Sequence, residues 1–215
     1  MIEVRPALPA EYAALGELTA TTYLADGLTG EGYAATLRDV AGRAASSTVL
    51  VALLDGQLVG GITAVTQGGP FAEGTDPGTA VLRMLATERA ARGAGVGRLL
   101  VVTAIDLARE HGCVAVRLST QPTMTAAHRL YERLGFVRTP EADWYPEPDL
   151  LLLTYVLPLA FCAHCGQPGV HEKCLRQLEL DPPRYCTRCR RRMVVQVHPT
   201  GWSDRCVEHG TLTSC

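Results

Sequence analysis

The first 157 residues of this 215-residue chain hold one cysteine, Cys113, and the whole chain holds one lysine, Lys173. No Gly-Lys-Ser/Thr run exists, which excludes a Walker phosphate loop. No apolar stretch approaches the roughly 20 residues that a membrane helix needs. The opening Met1-Ile2-Glu3-Val4-Arg5 has neither the basic segment nor the apolar core of a secretory signal. These absences predict a cytoplasmic chain with no membrane partner. In a reducing compartment, clustered cysteines are metal ligands or redox groups before they are disulfides. The net charge of −2 gives no global footprint for nucleic acid.

What is present is unevenly spread. About half the residues are apolar, enough for a packed core. Residues 1–157 hold 12 Arg against 17 Asp and Glu, whereas residues 158–215 hold 8 Lys and Arg against 5. Seven of the eight cysteines and four of the six histidines fall in the second segment. Length and asymmetry together predict one domain of ordinary size at 1–157 and a small one at 158–215. Pro158 marks the boundary, where a strand stops and the composition changes.

Residues 2–5 read as a strand, 9–25 and 31–43 as helices, and 48–54 and 58–66 as strands joined by the Asp55-Gly56 hairpin signal. Residues 67–78 are a Gly/Pro-rich loop, followed by a strand at 79–87 and a helix from 95 to 111. Strands at 114–119, 136–138 and 150–157 frame a last helix at 123–134, which Gly135 ends. The order predicts an α/β fold with a mixed central sheet flanked by helices, because the hairpin argues against an all-parallel sheet.

The segment Arg92-Gly93-Ala94-Gly95-Val96-Gly97-Arg98 sits between a strand and a helix. Glycines there let several N–H groups face one concavity at the positive end of a helix dipole, which is an anion site suited to a pyrophosphate. Arg92 and Arg98 add charge-assisted donors. A turn with no ligand is the competing reading. A Rossmann site would want this turn after the first strand of its unit, not the fourth.

Here the chain resembles the GNAT (Gcn5-related) N-acetyltransferase family over residues 1–157. Its Arg/Gln-x-x-Gly-x-Gly/Ala pattern is met by Arg92, Gly95 and Gly97. Leu82–Thr87, with Leu85, Ala86 and Thr87 at its end, stands where the family strand pairs with the pantetheine arm. Ala127 to Phe136 resembles the second signature, a helix ending in Tyr-x-x-x-Gly-Phe. The resemblance implies acetyl-CoA as cosubstrate, a small amine or peptide as acceptor, and Tyr131 as the acid that protonates the leaving thiolate. The sequence departs from the family at three points. Residues 79–87 hold no internal Glu or Asp, Met124 stands where relatives carry Asn, and Arg89 stands where they carry Pro. Glu88, Glu73 and Asp76 are the remaining candidate bases, each also readable as a solvated carboxylate. His111, His128 and Cys113 read as structural.

The tail holds four pairs with two residues between members: Cys162/Cys165, His171/Cys174, Cys186/Cys189 and Cys206/His209. That spacing turns both side chains toward one ion, and two such pairs make a tetrahedral cage. Cys186-x2-Cys189-x16-Cys206-x2-His209 has the spacing of a zinc ribbon, with Met193–Val197 and the Pro199-Thr200-Gly201 turn as its hairpin. Two arrangements are open: consecutive pairs sharing an ion, or interleaved ones. Cys215 is a spare. Both Zn2+ and an iron–sulfur cluster suit the donors; the histidines favour zinc for at least one site, and thiolates suit a cluster. A tail this short buries too little to fold without metal. Residues 160–210 also resemble the biotin synthase auxiliary protein family, on Leu178 to Val197, Pro199 to Trp202 and Cys206 to Gly210. That resemblance implies iron–sulfur binding and biotin synthase as partner. Arg188 and Arg190–Arg192 raise nucleic acid as a rival ligand, but the tail's small net charge and few stacking residues disfavour it.

Overall fold

The computed structural model describes residues 1–72, 76–169 and 171–211. Glu73 and Cys215 lie outside the described residues. The chain divides into two compact units, Met1–Leu157 and Pro158–Cys215.

The first unit runs β1 (Ile2–Pro6), α1 (Tyr12–Ala25), α2 (Glu31–Arg38), α3 (Val40–Ala44), β2 (Thr48–Leu54), β3 (Gln57–Val65), β4 (Thr79–Thr87), α4 (Val96–Glu110), β5 (Ala115–Thr120), α5 (Thr125–Arg133), β6 (Val137–Arg138), β7 (Trp144–Glu147) and β8 (Leu150–Pro158). The strands form one mixed sheet in the order β1-β2-β3-β4-β5-β8-β6, with β7 on β8. β1 to β4 are antiparallel, β4 and β5 are parallel, and β8 pairs antiparallel with β6 and β7.

Local chemistry sets these boundaries. Asp55 and Gly56 both take positive φ, 51° and 83°, the backbone that a two-residue turn between twisted strands requires. The single helix expected at 31–43 is two helices. Asp39 leaves helical geometry, and its carboxylate accepts from the Gly42 N–H at 2.8 Å, starting α3 as a cap.

Helices cover both faces of the sheet. A Cβ on Gly61 would meet Leu15 of α1 at 2.6 Å, whereas one on its neighbour Gly60 would lie 3.4 Å from Leu100 of α4. Adjacent strand residues point to opposite faces, so α1 and α4 lie on opposite sides. α4 buries Val96, Leu100, Val101, Ala104, Ile105 and Ala108, one stripe at helical spacing. Leu15 packs with Val40, Val49, Val51 and Leu53 on the other face.

The Tyr-x-x-x-Gly-Phe signature is a helix stop. Gly135 takes φ 89°, its N–H reaches the Glu132 carbonyl at 3.0 Å, and the Phe136 N–H reaches the Tyr131 carbonyl at 3.0 Å. The Tyr131 and Phe136 rings sit 5.7 Å apart. Together these are the paired hydrogen bonds and apolar contact of a Schellman cap, which fixes Tyr131 on the last turn of α5.

The second unit contains α6 (Glu172–Leu178) and the hairpin β9 (Val194–His198) with β10 (Gly201–Arg205). Among its described residues the buried ones are Cys162, Gly166, Cys186, Cys206 and Asp204. Apart from Asp204 and Gly166, its buried residues are candidate metal ligands.

Candidate functional site

β4 and β5 pair in register from Thr79 with Ala115 to Leu82 with Leu118. Both strands run on beyond that point, β4 to Thr87 and β5 to Thr120. The divergence coincides with irregular backbone. Met84 takes φ 55°, a left-handed conformation costly for a side chain, and the β3–β4 register shifts opposite it, between Gly61 and Thr63. Ala86 and Thr87 pair with Gly61 and Gly60 of β3 on one edge. Their other edge faces the gap between β4 and β5.

At the end of β4, Gly93 and Gly95 take φ 85° and 90°, and Gly95 caps α4. Gly93, Ala94 and Gly95 are exposed, Val96 packs into the core, and Gly97 is half-buried. The first-turn N–H groups of α4 have no partner within the helix, so they open toward solvent at the helix's positive end. Arg98 is exposed beside them. Arg92 is engaged by Asp26 through two hydrogen bonds of 3.2 and 2.5 Å, and its Nε donates to the Thr87 carbonyl at 3.3 Å. It ties the loop to the end of α1. Nothing local announces this pairing, because Asp26 is 66 residues away in the chain.

A cavity of about 1060 Å³ opens at the divergence, lined by Tyr23, Arg83, Met84, Leu85, Arg117 and Tyr131 among others. Tyr131 is 5% exposed, and burial pushes its hydroxyl pKa well up, so it keeps its proton. Burial raises Tyr23 in the same way, with Tyr131 nearby as a further cause. Of the candidate bases, Glu88 is exposed at the start of the turn Arg89–Ala91, and Asp76 lines a separate hollow with Thr66 and Gly78. Neither lines the cavity. Among the described residues its carboxylates are the exposed Glu147 and Asp149, from a segment without periodic pattern where β7 was not expected. Asp143 anchors that segment: it takes two bonds from Arg138 and one from the Thr154 N–H at 2.8 Å. The Arg138 bonds, set against partial burial and helped by the Thr154 N–H, hold its carboxyl below the usual range. His128 and His111 bond to backbone carbonyls, at 3.1 and 2.9 Å.

In the second unit the ligands group as consecutive pairs, Cys162, Cys165, His171 and Cys174 in one set and Cys186, Cys189, Cys206 and His209 in the other. Donor atoms within each set lie within 4.8 Å of one another. Three of the pairs sit on the same turn. The N–H of Gly166, Arg190 and Gly210 reaches the carbonyl of Cys162, Cys186 and Cys206 at 2.8, 2.9 and 2.9 Å. All three donors are left-handed, with φ 73°, 63° and 70°. The fourth pair is carried by the start of α6, which the sequence reading missed. Burial raises the Cys162 thiol, but the backbone N–H groups of Cys165 and His164 together with the His171 and Cys165 side chains bring it down to about 6.

The spacing tests which metal fits. Bonds of about 2.3 Å to sulfur and about 2.0 Å to nitrogen give tetrahedron edges of about 3.8 Å for S···S and about 3.5 Å for S···N. The structure has 3.6 Å between Cys189 and Cys206 Sγ, and 3.4 to 3.6 Å for the three Sγ···Nδ1 separations, Cys165–His171, Cys186–His209 and Cys206–His209. These distances fit one ion per set. A multi-iron cluster divides its four ligands among two or more irons.

The Acetyltransferase (GNAT) family model matches residues 13–136. The chain belongs to the GNAT acetyltransferase family. The biotin synthase auxiliary protein family model matches residues 193–215 of this GNAT chain. A biotin synthase auxiliary protein of Mycobacterium leprae is 50% identical over 46 residues, 21% of this chain and 58% of the relative. The N-acetylaspartate synthetase of Danio rerio is 35% identical over 100 residues, 46% of this chain and 33% of the relative. The chain thus spans less than two thirds of either relative. Two solved structures share the GNAT fold. A GNAT acetyltransferase from Staphylococcus aureus has TM-score 0.61 at 16% identity, over 74% of this chain and 99% of that one. A Salmonella typhimurium acetyltransferase with its cofactor acetyl-CoA has TM-score 0.56 at 23% identity, over 74% and 94%. Among the described residues no helix is long and apolar enough to cross a membrane.

Proposed function

We propose that residues 1–157 form an N-acetyltransferase domain that moves an acetyl group from acetyl-CoA to the amine of a small acceptor. Residues 158–215 form a metal-held module that serves biotin synthase. One observation carries the first reading: the strand divergence and the buried Tyr131 share one cavity, and β4, which lines it through Leu85, runs on to the turn that leads into the Gly95-capped start of α4.

The pyrophosphate sits on the N–H groups of Gly93 to Arg98, and the pantetheine arm lies along the edge of Leu85, Ala86 and Thr87. Backbone donors at the divergence polarise the thioester carbonyl. The amine nitrogen attacks that carbon, the N–C bond forms and the C–S bond breaks. The surplus amine proton leaves to solvent. Tyr131, still protonated at neutral pH, gives its proton to the departing thiolate and regains one from solvent before the next turnover. The test is thiol release from acetyl-CoA against an amine panel. Tyr131→Phe should lower kcat about 10²- to 10⁴-fold while leaving acetyl-CoA affinity intact. An unchanged kcat removes the tyrosine from the mechanism.

The named N-acetylaspartate synthetase relatives favour an amino acid as acceptor. For the tail, the donor spacing supports a single Zn2+ in each set, bound by Cys162, Cys165, His171 and Cys174, and by Cys186, Cys189, Cys206 and His209. Such an ion would supply folding energy. The identity to the auxiliary proteins supports biotin synthase as partner. Biotin synthase turnover with and without the full chain tests it.

A further inference from the structure

The turn after β4 and one wall of the cavity are far apart in sequence, and an ion pair joins them. That wall is Gly27, Leu28, Thr29, Gly30, Gly32 and Tyr33, from the connection between α1 and α2 and the first turn of α2. α1 ends there in a Schellman cap. Gly27 takes φ 67°, its N–H reaches the Leu24 carbonyl at 3.0 Å, and the Leu28 N–H reaches the Tyr23 carbonyl at 2.9 Å. Past the cap the segment is loosely packed: a Cβ added at Gly27, Gly30 or Gly32 would meet nothing within 4 Å. Side chains from elsewhere hold it. Gln121, just past β5, donates to the Leu28 carbonyl at 2.5 Å, and Arg92 holds Asp26.

The Arg92 end of the pair belongs to the turn 92–98. Both terminal nitrogens of its guanidinium sit on the two Asp26 oxygens, a fork that a carboxylate matches. Its Nε holds the Thr87 carbonyl, at the end of the edge proposed for the pantetheine arm. The side chains of Arg92 and Asp26 are 40% and 28% exposed, so water screens the pair less than it screens a surface pair. The backbone that carries Arg92, however, is not held by packing. Gly93, Ala94 and Gly95 are exposed, and a Cβ on either glycine would meet nothing within 4 Å. In the free chain the ion pair must therefore order this turn against its conformational entropy. A pyrophosphate on the N–H groups of 93–98 orders the turn itself, and the pair then forms on a backbone already fixed. By linkage, an ordered wall strengthens cofactor binding by the same factor.

We infer that Asp26 is a positioning residue through which acetyl-CoA completes the acceptor wall. The bound cofactor fixes the turn, Arg92 fixes Asp26, and residues 26–33 settle into place, so the acceptor binds after the cofactor. The inference rests on the acetyltransferase reading for its ligand. Gln121 is anchored away from the turn, so its hold on Leu28 is independent of the cofactor.

The experiment is hydrogen exchange on the full chain, free and saturated with acetyl-CoA, read at 26–33 with the β2–β3 ladder as control. In the native chain the cofactor should slow exchange at 26–33 at least about fivefold, the low end of ordinary coupling between sites. Asp26→Asn keeps the size and loses the charge. It should still bind acetyl-CoA, with the slowing reduced to less than about twofold. Arg92→Lys keeps the charge and loses the fork, so its slowing should be intermediate; it reads the same link if the asparagine variant does not fold. Gln121→Ala should speed exchange at Leu28 equally with and without cofactor. For any amine that is turned over, Asp26→Asn should raise KM at least about fivefold while kcat changes less.

Cofactor-dependent slowing that Asp26→Asn removes supports the inference. Slowing of equal size in the native chain and in Asp26→Asn or Arg92→Lys overturns it. Acetyl-CoA binding with no slowing at 26–33 also overturns it, and both results leave the acetyltransferase reading standing. A folded native chain that does not bind acetyl-CoA overturns that reading and the inference with it.

Discussion

Replacing Arg190 by glycine should tighten metal binding at one site of the tail and leave the other unchanged. Three cysteine turns there share one backbone, and the position that must be left-handed is glycine in two of them and Arg190 in the third. A side chain in that region costs about 1–2 kcal/mol. Glycine returns about 0.5–1 kcal/mol of that as backbone entropy lost on folding. The net gain is about 1 kcal/mol or less. Folding and metal binding are one equilibrium in a unit whose buried residues are mostly candidate ligands, so the gain appears as up to about fivefold tighter binding. The Arg190 side chain is exposed, and its N–H bond to Cys186 survives in glycine. Gly166→Ala is the mirror experiment. Its φ of 73° is strained for alanine, and the new Cβ would lie 3.0 Å from the Tyr185 ring. The set at Cys162 should weaken about 5- to 30-fold. Competition with a chromophoric chelator, on full chains in which the other set is disabled by Cys→Ser changes, reads each site alone. If Arg190→Gly weakens its site, or if either change moves both sites together, the shared-turn argument is wrong.

Gly135→Ala breaks the cap that holds Tyr131, and its φ of 89° should cost about 1 kcal/mol, lowering the melting temperature of the first unit by about 2–4 °C. An unchanged melting temperature refutes the cap assignment. Asp143→Asn should lower that melting temperature at pH 7 and cease to matter at low pH. A carboxyl held below its ordinary pKa of about 3.9 stabilises the fold above that value and loses the contribution as pH falls through the folded pKa. A mutant deficit that does not shrink as pH falls below about 3.9 contradicts this. Chelation of the full chain should abolish the β9–β10 signal in hydrogen exchange and leave the β2–β3 ladder protected. Persistent protection of β9 without metal would mean that the tail folds on its own.

Much of the fold was legible because its signals are local. The Asp55-Gly56 turn, the Gly95 start of α4 and the Gly135 stop of α5 each require positive φ, and each appears where its dipeptide or pattern stands. What escaped depends on contacts distant in sequence. β7 exists because Asp143 accepts from Arg138 and the Thr154 N–H, and residues 139–149 have no periodicity to announce it. The irregular backbone at Met84 carries no glycine and no proline, so nothing in Thr79–Thr87 marks where the strand pair opens. Arg92 reads as a phosphate donor in sequence, and only the folded chain brings Asp26 to it. The pairing of ligands in the tail was undecidable from spacing, since consecutive and interleaved arrangements use the same four knuckles; the folded turns bring them together consecutively.

The central claim is that the first unit binds acetyl-CoA at the start of α4. Calorimetric titration of acetyl-CoA into the full chain tests it most directly, alongside Gly95→Val. The space around Gly95 is open, so valine fails there through its φ of 90° and through crowding of the phosphates, with little loss of core packing. The account predicts saturable one-to-one binding by the native chain and loss of at least about tenfold in affinity in a folded variant. Equal affinity in both, or no binding by a folded native chain, would contradict it.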